Sequence, residues 1–386
     1  MSLMRLLLIG LLPTLAVGCS SFGGSDDDVD PPTELTEFSA QLRLEKLWDQ
    51  DIGSGLSVVD MVLNPVLDGN VIYAVDPSGQ VTALNKANGR PQWRSDLDTH
   101  ITGSVAITDD LVLVGSQDGD LYALDRVDGS VEWTTRLSSE ILAPADGNQE
   151  VVVVSTQDGT IHALNAADGS IRWSQDIQKP LLTLRGNGQP RVTGDTVYIG
   201  LDNGKVSAHR LTDGGLVWEA RVAIPEGTTE LERMVDVDTR PLIFSDLLFA
   251  VSYQGGLMAI DLESGRSSWF QEGSSRKDLA YFGGLIVTTM LDGRVVTYSV
   301  TTGAQIWETS AFLHRGVTAP VATSRFVAVG DREGGYVHLV DRRTGDTIGR
   351  VRVDSSGVSA APLSDGSNLY VLDRDGTLSA YSVQAI

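Results

Sequence analysis

"QDGDLYALDRVDGSVEW" occupies residues 117–133, and "QDGTIHALNAADGSIRW" occupies residues 157–173. Nine of the 17 aligned positions are identical, and the second stretch begins 40 residues after the first. Asp118-Gly119 and Asp128-Gly129 predict tight turns, because Gly adopts the positive φ that such turns need. The alternating segment "DLYALD" between them predicts a β-strand. A repeated unit of short strands and turns therefore decides the fold class.

The same unit recurs along the chain and usually ends in a Trp. Six of these closing positions follow one another at intervals of 38 to 51 residues, at Trp93, Trp133, Trp173, Trp218, Trp269 and Trp307. A seventh copy has Gly349 at this position, and an eighth copy, which begins at residue 369, has no fourth strand before the chain ends. Four strands in about 40–50 residues are typical of a β-propeller blade.

The strand missing from the last copy is available near the start of the chain. The segment "RLEKLWDQ" at residues 43–50 places Trp48 one repeat before Trp93. We expect this N-terminal strand, at about residues 42–50, to complete the last blade and close the ring. The sequence therefore predicts an all-β fold: a single eight-bladed β-propeller of four-stranded antiparallel blades over residues 41–386.

The recurring Trp is predicted to be a structural residue that docks each blade onto its neighbour. All seven Trp residues then share this role: Trp48, Trp93, Trp133, Trp173, Trp218, Trp269 and Trp307. Burying one indole removes about 150–250 Å² from water, an upper bound of about 4–6 kcal/mol. The alternative is a stacking platform for a ligand. Gly349 predicts one looser junction between blades.

The first 40 residues have the composition of a targeting segment and a linker. Residues 4–19, "MRLLLIGLLPTLAVGC", contain one Arg, an apolar run and small residues before Cys19, the only Cys of the chain. This layout is typical of a secretory signal. Residues 20–38 contain six acidic residues and no Lys or Arg. We interpret this stretch as a solvated spacer rather than a calcium site, because no loop fixes ligand geometry.

The end of the signal resembles a bacterial lipobox, Ala16-Val17-Gly18-Cys19, with Ala16 where lipoproteins prefer Leu. The resemblance implies a signal peptide at residues 1–18, followed at 19–40 by a lipidated Cys19 and an acidic flexible tether. Ser20 after the Cys resembles the pattern of lipoproteins sorted to the outer membrane. The alternative is an ordinary signal peptide with an incidental Cys.

Composition argues against several classes of function. The chain has 29 basic and 51 acidic residues, a net charge of −22, so it has no general attraction for nucleic acids or anionic lipid surfaces. No Gly-x-Ser-x-Gly, Walker or His-Glu-x-x-His motif occurs, and the five His residues are far apart. We therefore expect no enzymatic activity, no cofactor and no metal site.

Two families share the repeated unit. Pyrroloquinoline-quinone dehydrogenases have a blade-docking motif similar to "ALDRVDGSVEW" at residues 123–133, which leaves a quinone- or sugar-binding propeller as an alternative. The BamB family, lipoproteins of the outer-membrane β-barrel assembly machinery, resembles the whole chain: lipobox, acidic tether, eight blades and N-terminal closure. This resemblance implies a scaffold, lipid-anchored on the periplasmic face of the outer membrane. The partners that it implies are the POTRA domains of the barrel-forming subunit and nascent outer-membrane proteins.

Two long loops between blades carry the residues that this resemblance marks as partner-binding. One contains Leu182, Leu184 and Arg185, and the other contains Asp236 and Asp238. Leu beside Arg is a combination found at the centres of protein interfaces. Arg185 is expected to pair with a carboxylate, either that of Asp236 or Asp238 or one on the partner. The alternative is that these residues only order the two loops.

Overall fold

Short antiparallel hairpins follow one another throughout the computed structural model, which describes residues 30–55, 62–186 and 188–386. The described residues contain strands and turns and no α-helix. They form eight four-stranded antiparallel sheets, the blades of an eight-bladed β-propeller. The predicted fold class is therefore confirmed. Residues 1–29 lie outside the described residues, so the signal peptide, Cys19 and much of the tether remain predictions.

The strands of each blade follow the chain, after the first strand, β1 (Leu42–Asp51). Blade 1 contains β2 (Val66–Asp68), β3 (Val71–Val75), β4 (Gln80–Asn85) and β5 (Pro91–Asp96). Blade 2 contains β6 (Ala106–Ile107), β7 (Leu111–Gly115), β8 (Asp120–Asp125) and β9 (Val131–Arg136). Blade 3 contains β10 (Asp146–Gly147), β11 (Val151–Ser155), β12 (Thr160–Asn165) and β13 (Ile171–Asp176). Blade 4 contains β14 (Arg191–Thr193), β15 (Thr196–Gly200), β16 (Lys205–Arg210) and β17 (Leu216–Arg221).

The second half repeats the pattern. Blade 5 contains β18 (Leu242–Phe244), β19 (Leu247–Val251), β20 (Gly255–Asp261) and β21 (Ser267–Gly273). Blade 6 contains β22 (Ala280–Phe282), β23 (Leu285–Thr289), β24 (Val295–Ser299) and β25 (Gln305–Thr309). Blade 7 contains β26 (Val321–Ala322), β27 (Val327–Gly330), β28 (Tyr336–Val340) and β29 (Thr347–Arg352). Blade 8 contains β30 (Leu363–Ser364), β31 (Asn368–Leu372), β32 (Thr377–Ala385) and β1.

Blade 8 joins the two ends of the propeller. β1 pairs antiparallel with β32, from Leu42 opposite Ala385 to Asp51 opposite Thr377. The innermost strands of blades 1 and 8, β2 and β30, are also in contact. The N-terminal strand therefore completes the last blade as predicted, and the ring closes without leaving β32 as a free edge.

The Trp residues lie at the junctions between blades. Each indole N–H donates a hydrogen bond of 2.8–3.0 Å to a carbonyl oxygen in the turn between the third and fourth strands of the next blade: Trp48 to Lys86, Trp93 to Arg126, Trp133 to Ala166, Trp173 to Leu211, Trp218 to Leu262, Trp269 to Val300 and Trp307 to Arg342. In blade 2, Gly129 of this turn has φ +75°, and a Cβ there would lie 2.5 Å from the Trp93 ring. The repeated Asp-x-x-x-Gly turn therefore forms the surface that receives the indole.

Gly349 occupies the Trp position in blade 7, and the next blade lacks the turn whose carbonyl would accept the indole hydrogen bond. In blade 8 the third strand ends near the C-terminus and the fourth is β1, so the chain makes no turn between them. A Trp in blade 7 would have no such carbonyl to bond. A Cβ on Gly349 would instead lie 2.9 Å from the backbone oxygen of Leu42, because the N-terminal strand passes at this point.

The chain before β1 also lies against blade 7. The Thr33 N–H donates to the Leu313 carbonyl at 3.0 Å, and the Gln41 N–H donates to the Ile348 carbonyl at 2.9 Å. Arg350 also donates to the Thr36 carbonyl at 3.3 Å. The chain therefore passes from the loop between blades 6 and 7, at Leu313, to the outer strand of blade 7 before β1 begins. The flexible tether predicted for residues 19–40 stays a prediction; these contacts belong to its described part.

Candidate partner-binding site

The loops that leave the fourth strand of each blade all lie at one end of the blades, which we call the exit face. Two of them are longer than most. The Leu182 loop, residues 177–190 apart from the undescribed residue 187, connects β13 to β14. The Asp236 loop, residues 222–241, connects β17 to β18. The five residues marked in the sequence as partner-binding all lie in these two loops, which flank blade 4.

The base of the Leu182 loop is held by a cation. Lys179 Nζ lies 2.6 Å from the Asp202 carboxylate and donates to the Gln157 carbonyl at 2.7 Å. Both side chains of the ion pair are largely buried. Blades 3 and 4 therefore position the start of this loop together.

The middle of the Leu182 loop is held by the Asp236 loop. Asp236 is 2 % exposed, and its carboxylate accepts a hydrogen bond of 2.5 Å from the Leu184 N–H. Asp238 lies against Gly186, where an added Cβ would be 2.5 Å from a carboxylate oxygen. Both Asp238 oxygens are buried and have no hydrogen-bond partner among the described residues. The two Asp residues therefore contact the backbone of the Leu182 loop from within the protein.

Burial changes the acidity of both carboxyl groups. Burial raises the pKa of Asp236 from its ordinary value of 3.8 to about 6, although the Leu184 N–H favours the ionised form. Burial, reinforced by the negative charges of Asp236 and Asp202, raises the pKa of Asp238 to about 7. Arg276 and Lys179 lower both pKa values without cancelling the rise. Near neutral pH this pair is therefore only partly ionised.

Arg185 has a different partner from the two expected within the chain. Its guanidinium lies 2.7 Å from the Glu140 carboxylate, which reaches it from the loop between blades 2 and 3. The prediction that Arg185 pairs with Asp236 or Asp238 is wrong, because those carboxylates face the loop backbone. The Arg185 side chain is 45 % exposed, so it also remains accessible to a partner.

The apolar side chains of the Leu182 loop point outward to different degrees. Leu181 is 95 % exposed, Leu182 is 42 % exposed, and Leu184 is partly buried. Leu181 was not predicted from the sequence, although an apolar residue directly after Pro180 in a long loop was a usable signal. Glu140 was not predicted either, because no local pattern connects it to Arg185. The loop therefore presents Leu181 and Leu182 between Lys179, whose side chain is held by blades 3 and 4, and Leu184, whose N–H is bonded to the Asp236 loop.

The Leu182 loop also borders the opening of the axial channel. A cavity of about 380 Å³ lies on the propeller axis at the exit face, and Arg185, Gly186 and Asp238 form part of its wall. Arg276 and Arg332 lie on the same wall. Among the described residues, no group of three or more His, Cys, Asp or Glu side chains is arranged to hold a metal ion. The part of the chain that the structure describes also contains no helix that is long and apolar enough to cross a membrane.

This chain is similar to known proteins in both sequence and fold. A family model described as outer membrane protein assembly factor BamB matches residues 77–309 and 291–385. The chain belongs to the BamB family. The BamB of Pseudomonas aeruginosa is 49 % identical over 373 residues, which cover 97 % of each chain. The crystal structure of BamB from Moraxella catarrhalis has a TM-score of 0.79 at 29 % identity, and the match covers 88 % of this chain and 99 % of that one.

The resemblance to quinone-dependent dehydrogenases extends only to the fold. A quinohemoprotein alcohol dehydrogenase from Pseudomonas putida HK5 has a TM-score of 0.69 at 15 % identity, covering 89 % of this chain and 76 % of that one. At this identity the match shows a shared propeller architecture alone. Membership of the BamB family rests instead on matches over nearly the whole chain.

Proposed function

We propose that this chain is a non-enzymatic scaffold lipoprotein of the outer-membrane β-barrel assembly complex. In this proposal the Leu182 loop binds the POTRA domains of the barrel-forming subunit and so supports folding and insertion of outer-membrane proteins. A lipid on Cys19 holds the propeller at the periplasmic face of the outer membrane. The relatives named as outer membrane protein assembly factors support this assignment.

One structural observation carries the proposed site. Leu181 and Leu182 are exposed, while the backbone N–H of Leu184, two residues further along the chain, is bonded to buried Asp236. Apolar side chains exposed on a backbone that is already ordered lose little further entropy on binding. The Leu pair therefore has the properties of an interface anchor, and the Asp pair acts as its support.

Arg185 adds a charged group at the edge of this anchor. Its bond to Glu140 orients the guanidinium, and its exposed nitrogens can form charge-assisted hydrogen bonds with a carboxylate of the partner. Exchange of one carboxylate for another, or sharing between both, leaves the guanidinium paired throughout. We therefore assign contact with the partner to Leu181, Leu182 and Arg185, and support of the loop to Leu184, Asp236 and Asp238.

The experiment is recovery of the barrel-forming subunit from detergent extracts with the full-length chain. Leu182→Glu places a charge at the centre of the proposed anchor and is expected to lower recovery strongly. Arg185→Ala is expected to lower it less, because only edge contacts are lost. Val127→Glu is the matched control: Val127 is 85 % exposed and lies at the opposite end of the blades, in the turn between β8 and β9.

The outcomes separate the site from the function. If wild type recovers the barrel-forming subunit and Leu182→Glu recovers as much as Val127→Glu, the site is wrong. If wild type recovers none, the proposed function is wrong. The lipid anchor has its own test, since labelled palmitate should enter wild type and not Cys19→Ala.

A further inference from the structure

The Asp236 loop exposes two large apolar side chains between buried ends. Val222 and Ala223 are each 3 % exposed at the start of the loop, and Val235 is 2 % exposed near its end. Between them, Ile224 is 64 % exposed and Leu231 is 62 % exposed. The loop is therefore anchored in the propeller at both ends and carries apolar surface on its outer part.

The segment that presents Leu231 is held by reciprocal hydrogen bonds. The Glu232 N–H donates to Thr229 Oγ1 at 3.2 Å, and the Glu232 carboxylate accepts the N–H groups of Thr228 and Thr229 at 2.7 and 3.0 Å. This is the capping-box arrangement of a helix start, used here to hold a single turn. Gln254 in blade 5 also donates to the Leu231 carbonyl at 3.4 Å. Leu231 therefore projects from an ordered turn rather than from a loose loop.

Acidic side chains border this apolar surface. Glu226 is exposed before the turn, Glu230 is exposed within it, and Glu232 is occupied by the capping bonds. The only basic side chain in residues 224–235, Arg233, is also exposed, so the border is negative in sum. An anionic lipid surface would be repelled by such a border, whereas a protein surface with Lys or Arg around an apolar centre would be attracted.

The Asp236 loop and the Leu182 loop contact each other directly. Asp236, five residues after Leu231, bonds to the Leu184 N–H, and Asp238 packs on Gly186. A partner seated on Leu181 and Leu182 therefore meets the Asp236 loop as the neighbouring loop of the same face.

We propose that Ile224 and Leu231 form a second anchor for the protein that binds the Leu182 loop. The complementary surface of that partner has an apolar centre bordered by basic side chains. This inference rests on the proposed function and extends its site from one side of blade 4 to the other. Thr229 and Glu232 are positioning residues, because they act by holding the turn that presents Leu231.

The test compares recovery of the barrel-forming subunit by full-length wild type, Leu231→Glu, Ile224→Glu and Val127→Glu. Truncated anchors that matter cost at least about 1 kcal/mol, so the two anchor variants are expected to weaken binding about fivefold or more. Thr229→Ala should weaken it less, because the turn is loosened while Leu231 remains. Glu230→Lys should also weaken binding, since it reverses the charge of the border.

Each outcome has one meaning. If Leu231→Glu and Val127→Glu both recover as much of the barrel-forming subunit as wild type does, the second anchor is overturned and the proposed function stands. Absence of recovery by wild type overturns the function itself, on which the anchor rests. If Leu231→Glu instead reduces flotation of the Cys19→Ala chain with phosphatidylglycerol vesicles, the surface faces lipid and the inference is overturned. Thermal unfolding of each variant verifies that it is folded.

Discussion

The backbone N–H of Leu184 donates a hydrogen bond to the Asp236 carboxylate and so joins two loops whose bonded residues are 52 positions apart in the chain. A residue that holds a loop and a residue that contacts the partner can both reduce binding when mutated. They differ in what happens to the free protein. The loop loses order only when the supporting residue is changed.

Hydrogen exchange measures this difference directly. Asp236→Ala removes the acceptor, so we expect faster exchange at the Leu184 amide and weaker recovery of the partner. Asp236→Asn keeps an acceptor oxygen and should restore most of the protection. Leu182→Glu should weaken recovery while leaving the Leu184 amide as protected as in wild type. Equal protection in Asp236→Ala and wild type would contradict the supporting role.

The raised pKa values of Asp236 and Asp238 predict a pH-dependent stability. Both folded-state pKa values, about 6 and about 7, exceed the ordinary value of 3.8, so the folded state binds more protons than the unfolded state between about pH 4 and pH 7. The free energy of unfolding should therefore fall as pH rises through this range, by up to about 1.4 kcal/mol per pH unit for each group.

Asp238→Asn removes one of these groups and should flatten the dependence between pH 5 and pH 7. The groups facing it, Asp202, Asp236, Arg276 and Lys179, remain in place. Urea unfolding at several pH values measures the effect, with Asp118→Asn at an exposed turn as control. Identical pH profiles for Asp238→Asn and wild type would show that this carboxyl does not titrate in that range.

The blade count and the closure by β1 were predictable because they depend on a period that is visible in one sequence. The meaning of Gly349 was not. Its position is unusual because the chain ends meet in blade 8, and only the structure shows Leu42 passing there. A local pattern therefore reveals the repeated unit, while the exception depends on residues that are distant in the chain.

The candidate site was also predictable from the sequence only in part. Leu182 and Arg185 were identified through a family resemblance, and the structure places both at the surface. The bond from Leu184 to Asp236 and the pair of Arg185 with Glu140 each connect different blades. Such contacts follow from how loops cross the exit face, which the sequence of either loop does not encode alone. The roles of the two Asp residues therefore required the three-dimensional structure.

The contact between Gly129 and Trp93 predicts an unusual sensitivity to one methyl group. Gly129→Ala adds a Cβ 2.5 Å from the indole at φ +75°, so it combines backbone strain with overpacking. We expect a loss of about 2–4 kcal/mol in the free energy of unfolding. Gly194→Ala is the control, because Gly194 has φ +58° and nothing within 4 Å of an added Cβ; it should cost about 1–2 kcal/mol. If urea unfolding shows equal losses of free energy for the two variants, the Trp93 indole moves to accommodate the added methyl group.

Asp331 is the anion of a buried ion pair. Its replacement is therefore expected to lower the free energy of unfolding through the loss of a charge and not through packing. Its carboxylate lies 2.6 Å from Arg315 Nε, and Arg315 Nη1 donates to the Thr33 carbonyl at 2.9 Å. Asp331→Asn leaves a largely buried guanidinium without its counter-ion, which typically costs about 3–5 kcal/mol. The partly exposed pair of Asp292 with Arg294 is the control, and Asp292→Asn should cost no more than about 1 kcal/mol. Faster hydrogen exchange at the Thr33 amide is expected only in Asp331→Asn. Similar losses in the free energy of unfolding for the two variants would show that the buried pair contributes no more than a surface pair.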